Sequence, residues 1–133
     1  MSLTPADIDN PVVHREVRAC FDRYEQALMA NDVQALNDFF WQDPRVTRYG
    51  IADRQHGHDE LVAYRQSVPA PQFTRQLHAI RISTWARDMA VVMCEFTRSD
   101  TELRGFQTQT WARLPNGWKI VSAHVSMIPW PTP

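Results

Sequence analysis

The segment 105–126 constrains the fold most, because two stretches of strand-like alternation flank the turn-forming triplet Pro115-Asn116-Gly117. An Asn-Gly pair in this setting favours the positive φ angles of a tight β-hairpin turn. Polar residues recur at every second position of both stretches: Gln107 and Gln109 in the first, and Ser122, His124 and Ser126 in the second. Such repetition inside a hydrophobic hairpin predicts the wall of a cavity, since a small-molecule site needs a few polar groups on mostly apolar walls.

The length of 133 residues predicts one domain spanning 1–133, large enough for a genuine core and too small for two. Hydrophobic residues make up 44% and charged residues 22%, an ordinary globular balance. The formal net charge of -1 gives no basic field that would bind nucleic acid or an anionic membrane. No apolar run approaches the ~20 residues that span a bilayer, and the N-terminus is unlike a signal peptide, so we expect a cytoplasmic protein.

The sequence carries no pattern that calls for a cofactor or a metal. Cys20 and Cys94 each lie among apolar residues, which predicts reduced thiols in the core rather than a disulfide or a nucleophile. There is no glycine-rich phosphate loop. His56-Gly57-His58-Asp59 resembles a metal-ligand cluster, but its glycine and its position before a helix favour a turn followed by a helix cap at Asp59.

Helical periodicity dominates the first half of the chain. Asn10-Pro11 is a strong helix start, with an N-cap followed by proline at the first helical position. Apolar positions then recur every three or four residues, at Val13, Val17, Cys20, Phe21, Tyr24 and Leu28. A second, shorter helix follows Asn31-Asp32 and ends before Pro44, and a third ends before Pro69.

The second half of the chain alternates with a period of two. Strands are predicted near 73–85, 90–98, 104–114 and 118–127, with a short one at 45–49. The order predicts an α+β fold in which three helices from the N-terminal half close a pocket on a curved antiparallel sheet. Segments 1–10 and 128–133 are expected to be extended tails. Surplus apolar residues on the outer face of the sheet predict a homodimer through that face.

Three segments and the hairpin resemble a known superfamily. They are helical Phe21-Asp-Arg-Tyr24, Val46-Thr-Arg-Tyr-Gly50, Leu61-Val-Ala-Tyr-Arg65 and the 107–126 hairpin. Together they cover nearly the whole chain and resemble the NTF2-like superfamily, the cone fold shared by ketosteroid isomerase and the SnoaL-like cyclases. The closer resemblance is to its AtzH-like group, also described as oxalurate-catabolism-associated. One departure is Phe106, where relatives commonly have an arginine.

The resemblance implies a small-molecule enzyme that works without a cofactor, beside an amidase, in the catabolism of ureide or cyanurate-derived compounds. The named member of the group acts on a carboxylated urea, 1,3-dicarboxyurea, and gives allophanate. If the arginine that Phe106 replaces binds a carboxylate, the substrate of this chain differs. The fold alone does not determine the function, because one fold hosts many functions.

Two alternatives from other functional classes stay open. One is an isomerase or cyclase, which needs a carboxylate base; Asp22 and Glu95 are the candidates in this sequence. The other is a non-catalytic ligand-binding or accessory subunit of an amidase.

Arg48 and Tyr24 are the candidate catalytic residues. Arg48 shares a strand face with Val46, so its guanidinium is expected to be buried, where its planar fork suits a carboxylate. The alternative is an internal salt bridge from Arg48 to Glu95 or Asp22. Tyr24 lies on the apolar stripe of the first helix and is either a proton donor to the cavity or a core tyrosine with a satisfied hydroxyl.

The candidate substrate-binding residues are Gln107, Gln109, His124, Ser126, Trp41, Tyr64 and Arg65. Amides and an imidazole can orient a urea-like molecule through paired donors and acceptors. Trp41 either forms a wall of the pocket or caps the core, and Tyr49 is expected to pack. The aromatic residues at 24, 41, 49, 64 and 106 are expected to fill much of the cone and leave room only for a small anion.

Overall fold

The computed structural model describes residues 1–131. A single 3-10 turn, Pro5–Asp7, precedes three helices, α1 (Pro11–Ala30), α2 (Val33–Phe39) and α3 (His58–Ser67). The strands are β1 (Thr47–Tyr49), β2 (Arg54–His56), β3 (Arg75–Trp85), β4 (Met89–Arg98), β5 (Arg104–Leu114) and β6 (Gly117–Ile128). The predicted α+β fold, with three helices against a curved sheet, is confirmed. None of the helices in this part of the chain has the length and apolar character to cross a membrane.

The helix starts follow local capping chemistry. The side chain of Asn10 accepts hydrogen bonds from the backbone N–H groups of Val12 and Val13, and Asp32 accepts one from Ala35. The third helix differs from the prediction, because its N-cap is Gly57 and Asp59 lies in its first turn without capping it. The backbone at position 57 has a φ of 90°, which a glycine adopts far more easily than any other residue.

The six strands form one sheet in the order β2-β1-β6-β5-β4-β3. From β3 to β6 the strands form the predicted antiparallel meander. The sheet is nevertheless mixed rather than purely antiparallel, because β1 runs parallel to β6, with Arg48 opposite Ala123. A parallel neighbour requires a long connection, and here the chain from β2 to β5 supplies it.

Two irregularities bend the long strands. The register shifts between His78 and Arg81 in the β3–β4 pair, and between Thr110 and Trp111 in the β5–β6 pair. Extra residues of this kind bend a strand and increase its twist, so the sheet becomes concave towards the helices. The β5–β6 turn is the predicted hairpin, displaced by one residue: Leu114 pairs with Gly117, which has a φ of 113°.

One end of the concave face forms the hydrophobic core. Trp111 and Ile120 there are fully buried against Phe21 and Leu36 of the helices. Cys20 and Cys94 are both free and buried, as the sequence predicted. Burial raises the pKa of the Cys94 thiol to about 11, so this thiol is protonated at neutral pH and is a poor nucleophile.

The N-terminal segment is not a simple extended tail. Pro5–Asp7 forms a helical turn, Ile8 bridges to Trp85, and the carboxylate of Asp9 accepts a hydrogen bond from the backbone of Thr84. At the other end, Ile128 belongs to β6 and the ring of Trp130 lies 5.6 Å from that of Phe106. The rest of the predicted C-terminal tail, residues 132–133, lies outside the described residues.

Candidate functional site

A cavity of about 410 Å³ occupies the other end of the concave face. Its floor is formed by β4, β5 and β6, and its sides by the C-terminal half of α1, by α3 and by the segment 68–73. This volume lies in the range of ordinary small-molecule sites. The concave face is divided into a core and a cavity because its inward-facing positions are apolar at the core end and polar at the cavity end.

Arginines dominate the charge of the cavity. Those on its wall are Arg48, Arg65, Arg75 and Arg98. Arg48 Nη1 donates hydrogen bonds to the carboxylate of Asp53 at 2.8 Å and to Gln55 Oε1 at 2.9 Å. Its guanidinium also lies 4.8 Å from the ring centroid of Tyr64. Arg48 therefore faces the cavity as predicted, but its acidic partner is Asp53 rather than Glu95 or Asp22.

Arg75 and Arg98 are held in the same manner, each between an acid and an aromatic ring. Arg75 forms an ion pair with Glu25 at 3.2 Å and lies 3.9 Å from the ring centroid of Phe96. Arg98 donates to Asp100 at 2.7 Å and lies 3.7 Å from the ring centroid of Phe73. Its guanidinium lowers the pKa of the Asp100 carboxyl. Both planar cations are fixed in place before a ligand arrives.

Arg65 is the exception among these arginines. Its side chain is on α3 and the residue is only 8% exposed, yet it makes no hydrogen bond or ion pair with any residue of 1–131. The guanidinium of Arg65 makes a cation–π contact with the neighbouring Tyr64, 5.6 Å from the centroid of its ring. None of its guanidinium nitrogens is among the buried polar atoms without a partner in residues 1–131, so the charged group opens onto the cavity, where an anion from outside the chain can pair with it.

Neutral donors complete the wall. Arg75 Nη2 donates to Gln107 Oε1 at 2.8 Å, and Gln107 in turn donates to Glu25. Gln109 Oε1 accepts a hydrogen bond from the indole of Trp111 at 3.1 Å, which leaves its amide N–H groups without a partner in the described chain. The hydroxyl of Tyr24 likewise has no partner there, although the residue is only 4% exposed. The cavity is therefore rich in donors and short of acceptors.

The structure places most predicted site residues on this wall: Tyr24, Arg48, Tyr64, Arg65, Gln107 and Gln109. The expectation that His124 and Ser126 share a face with the glutamines is wrong. Because Val121 is an extra residue opposite the Thr110–Trp111 step, Gln109 pairs with Ala123, while His124 pairs with Thr108. His124 borders the cavity, but its ring lies on the convex face, 5.7 Å from the ring of Tyr49.

Several aromatic residues also lie elsewhere than expected. Trp41 is not on the cavity wall; it packs beside the core beneath the guanidinium of Arg45. Tyr49 is 44% exposed on the convex face. Phe106 is on that face too, opposite Ser126, so its replacement of an arginine does not remove a cation from the cavity. With these rings outside, the cavity is larger than the sequence predicted.

The carboxylates proposed as isomerase bases lie outside the cavity. Asp22 is on an exposed face of α1, paired with Arg18, and Glu95 is on the convex face, paired with Arg104. His56 and His58 do not form a metal cluster, because no group of three metal-ligating side chains occurs within residues 1–131. His58 instead forms a hydrogen bond with the backbone carbonyl of Asn37.

Arg75, Arg98 and Glu25 were not among the predicted site residues. A signal was present for the two arginines. Arg75 stands two residues before Leu77, and Arg98 two residues after Phe96, so strand alternation puts each on the concave face. Nothing local marked Glu25, because its partner Arg75 is 50 residues away in the chain.

Gly105 makes room for this arrangement, which leads to a prediction for Gly105→Ala. An added Cβ would overlap the ring of Phe96, the ring that lies against Arg75. We expect the substitution to lower the free energy of unfolding by about 1–3 kcal/mol, measured by urea denaturation. The double variant Gly105→Ala with Phe96→Leu should recover part of the loss. A single variant as stable as the parent protein would contradict this steric argument.

Comparisons with known proteins agree on the family. The sequence profile of the family described as AtzH-like matches residues 6–130. A protein of unknown function from the DUF3225 family of Pectobacterium atrosepticum is 41% identical, with 96% of this chain and 99% of that chain covered and a TM-score of 0.93. A cystatin-like fold protein from Burkholderia xenovorans is 46% identical, with 93% and 98% covered and a TM-score of 0.89.

A more distant structure shows the fold alone. An NTF2-like protein of unknown function from Pseudomonas putida is 14% identical, with 99% of this chain and 100% of that chain covered and a TM-score of 0.77. No curated protein sequence matches the chain. The profile match spans nearly the whole sequence, and the chain therefore belongs to the AtzH-like family of the NTF2-like superfamily.

Proposed function

We propose that the protein is an enzyme of nitrogen-compound catabolism that decarboxylates or hydrolyses a small carboxylated urea such as 1,3-dicarboxyurea, without a cofactor. The observation that carries this proposal is the guanidinium of Arg65, which lacks a counter-ion among the described residues and opens onto a cavity with several unpaired donors. A carboxylated urea supplies carboxylate and carbonyl oxygens, which can accept from the donors of Arg65, Gln109 and Tyr24 that have no partner among the described residues.

Each wall residue has a role in the proposed reaction. Arg65 and Arg48 bind the carboxylate, with Arg48 held in place by Asp53. The free amide of Gln109 donates to the urea carbonyl. Gln107 is tied to Arg75 and Glu25, and it therefore shapes the floor rather than moving with the ligand. Tyr24 stands at the cavity with a free hydroxyl, in position to donate a proton.

The reaction breaks the bond between the carbamate carbon and its nitrogen. The electron pair of that bond goes to nitrogen, which takes the proton of the Tyr24 hydroxyl. The carbon leaves as carbon dioxide, and the shortened urea remains, which is allophanate when 1,3-dicarboxyurea is the substrate. Tyrosine then regains its proton from solvent. A preorganised set of donors favours this step because it stabilises charge as the charge develops.

The test is a direct assay of the purified protein with carboxylated ureas, following carbon dioxide release, together with Arg48→Lys. Lysine keeps the charge beside Asp53 but loses the planar fork and its contact with Tyr64. We expect kcat/KM to fall about 10- to 100-fold, the value of one charged hydrogen bond. Full turnover in Arg48→Lys would remove Arg48 from the mechanism. No turnover of any carboxylated urea by the parent protein would overturn the proposed function.

The isomerase alternative is not supported, since both of its candidate bases lie outside the cavity. A non-catalytic ligand-binding subunit of an amidase uses the same anion site and differs only in turnover. The carbon dioxide assay therefore separates the two, because ligand binding without turnover by the isolated protein would favour the binding subunit. A role beside an amidase and a cytoplasmic location, consistent with two free thiols, belong to the same proposal.

We also propose a homodimer through the convex face of the sheet. Met93 and Tyr49 are 51% and 44% exposed there, more apolar surface than a strand face normally shows to water. Sedimentation should give a dimer at micromolar concentration and a monomer for Met93→Glu. Val12→Glu, at an equally exposed position on α1, should stay dimeric. A stable monomer of the parent protein would contradict the interface.

A further inference from the structure

All but one of the arginines on the cavity wall are paired with an acidic residue. Within residues 1–131, Arg48 is matched by Asp53, Arg75 by Glu25, and Arg98 by Asp100. Arg65 has no such match. A ligand with a single negative charge neutralises the cavity, whereas a dianion brings one charge into it without a partner. Because an unpaired charge is expensive to desolvate, the balance favours a monoanion.

The side of the cavity around residues 68–71 is more apolar than its floor. The side chains there are largely apolar and partly exposed, and they include Met29, Ile51, Val68, Pro69 and Pro71. Ile51 is 52% exposed, on the β1–β2 hairpin. Proline carries no backbone donor, so this part of the wall offers little to a second polar group.

The volume of the cavity also favours a ligand larger than an unsubstituted carboxylated urea. A carboxylated urea without a substituent is a very small molecule, and 410 Å³ belongs to the range that holds considerably larger ligands. If the head of the ligand lies against Arg65 and Gln109, the space towards Val68 and Ile51 is left to water. An apolar group there would displace poorly bound water and gain affinity.

We propose that the ligand is an amphipathic monoanion: a urea with one carboxylate and an apolar substituent. The carboxylate binds Arg65, the urea carbonyl faces Gln109, and the substituent packs on Ile51, Val68 and Met29. This inference rests on the proposed function and narrows its substrate class to substituted monoanions, so that 1,3-dicarboxyurea, an unsubstituted dianion, is not the preferred ligand.

The experiment uses N-carbamoyl amino acids, which are stable ureas with one carboxylate and a variable side chain. Calorimetry should show N-carbamoylleucine binding about 250-fold more tightly than N-carbamoylglycine, since the leucine side chain adds four carbons and each buried one contributes about fourfold. N-carbamoylaspartate, a dianion, should bind more weakly than the leucine compound. The variant Ile51→Ser with Val68→Thr should reduce the affinity ratio between the leucine and glycine compounds to less than about 10-fold. Val12→Thr, an exposed valine outside the cavity, is the matched control.

Equal affinities across the series, or tightest binding by N-carbamoylaspartate, would overturn the inference. If the protein also turned over 1,3-dicarboxyurea, either result would leave the proposed function intact and reject only the narrower substrate class. Conversely, a clear preference for the leucine compound without turnover of any carboxylated urea would support the amphipathic site and overturn the enzymatic proposal.

Discussion

Replacing Tyr24 by phenylalanine is expected to lower kcat on a carboxylated urea by about 100- to 10,000-fold, the usual contribution of a positioned acid or base. KM should change little, because the phenyl ring keeps its edge contacts with Phe39 and Phe40, whose ring centroids lie 5.8 and 6.2 Å away. The loss is therefore expected in the proton transfer and not in binding or packing. Initial rates of carbon dioxide release over a range of substrate concentration measure both constants.

The chain contains a suitable control for Tyr24→Phe. Tyr49→Phe removes the same hydroxyl on the convex face, away from the cavity, and should leave both constants unchanged. Unfolding curves for both variants would show whether either loss of hydroxyl affects stability. If Tyr24→Phe kept its full kcat, the departing nitrogen would have to take its proton from another donor, and the role given to Tyr24 would be wrong.

Replacing Arg65 by methionine is expected to have two effects of opposite sign. Affinity for N-carbamoylglycine should fall about 30- to 5,000-fold, since removal of one partner of a hydrogen-bonded charge pair commonly costs about 2–5 kcal/mol. The free protein should become more stable by roughly 1 kcal/mol, because a buried cation without a counter-ion is replaced by an apolar side chain of similar length. Calorimetry and urea denaturation measure the two changes separately.

The matched control for Arg65 is Arg54→Met on β2, where the guanidinium is exposed and the same charge is lost. Neither affinity nor stability should change appreciably in that variant. Undiminished affinity in Arg65→Met would mean that the carboxylate binds elsewhere, with Arg48 as the next candidate. Lower stability in Arg65→Met would mean that the guanidinium contributes to packing, and the argument from an unpaired charge would fail.

The fold was predictable because its signals are local. Alternation with a period of two extends over β3 to β6, and the caps at Asn10 and Asp32 are short-range hydrogen bonds visible as residue types. The parallel pairing of β1 with β6 was not predictable in this way. It depends on two segments that are far apart in sequence, and three residues of β1 carry too little pattern to specify a partner.

The candidate site was predictable in part, and the errors have one main cause. Tyr24 and Arg48 were found because each is a polar residue at an apolar position of its element, and Arg65 because it follows Tyr64 in the third helix. His124 and Ser126 were misplaced because Val121 is an extra residue in β6, and alternation counted through a bulge assigns every later side chain to the wrong face. The pairing of Glu25 with Arg75 depends on tertiary contact and has no trace in either segment alone.

The parallel contact between β1 and β6 has a consequence for the order in which the protein folds. The strand that carries Arg48 has β2 on one side and residues 122–124 on the other. A growing or truncated chain that stops before residue 122 can form α1 to α3, yet β1 then has only the short strand β2 as a partner. Contacts of such long range form late and slowly. Ligand binding should therefore appear only after the three helices have formed, and its onset would show that β6 has paired with β1.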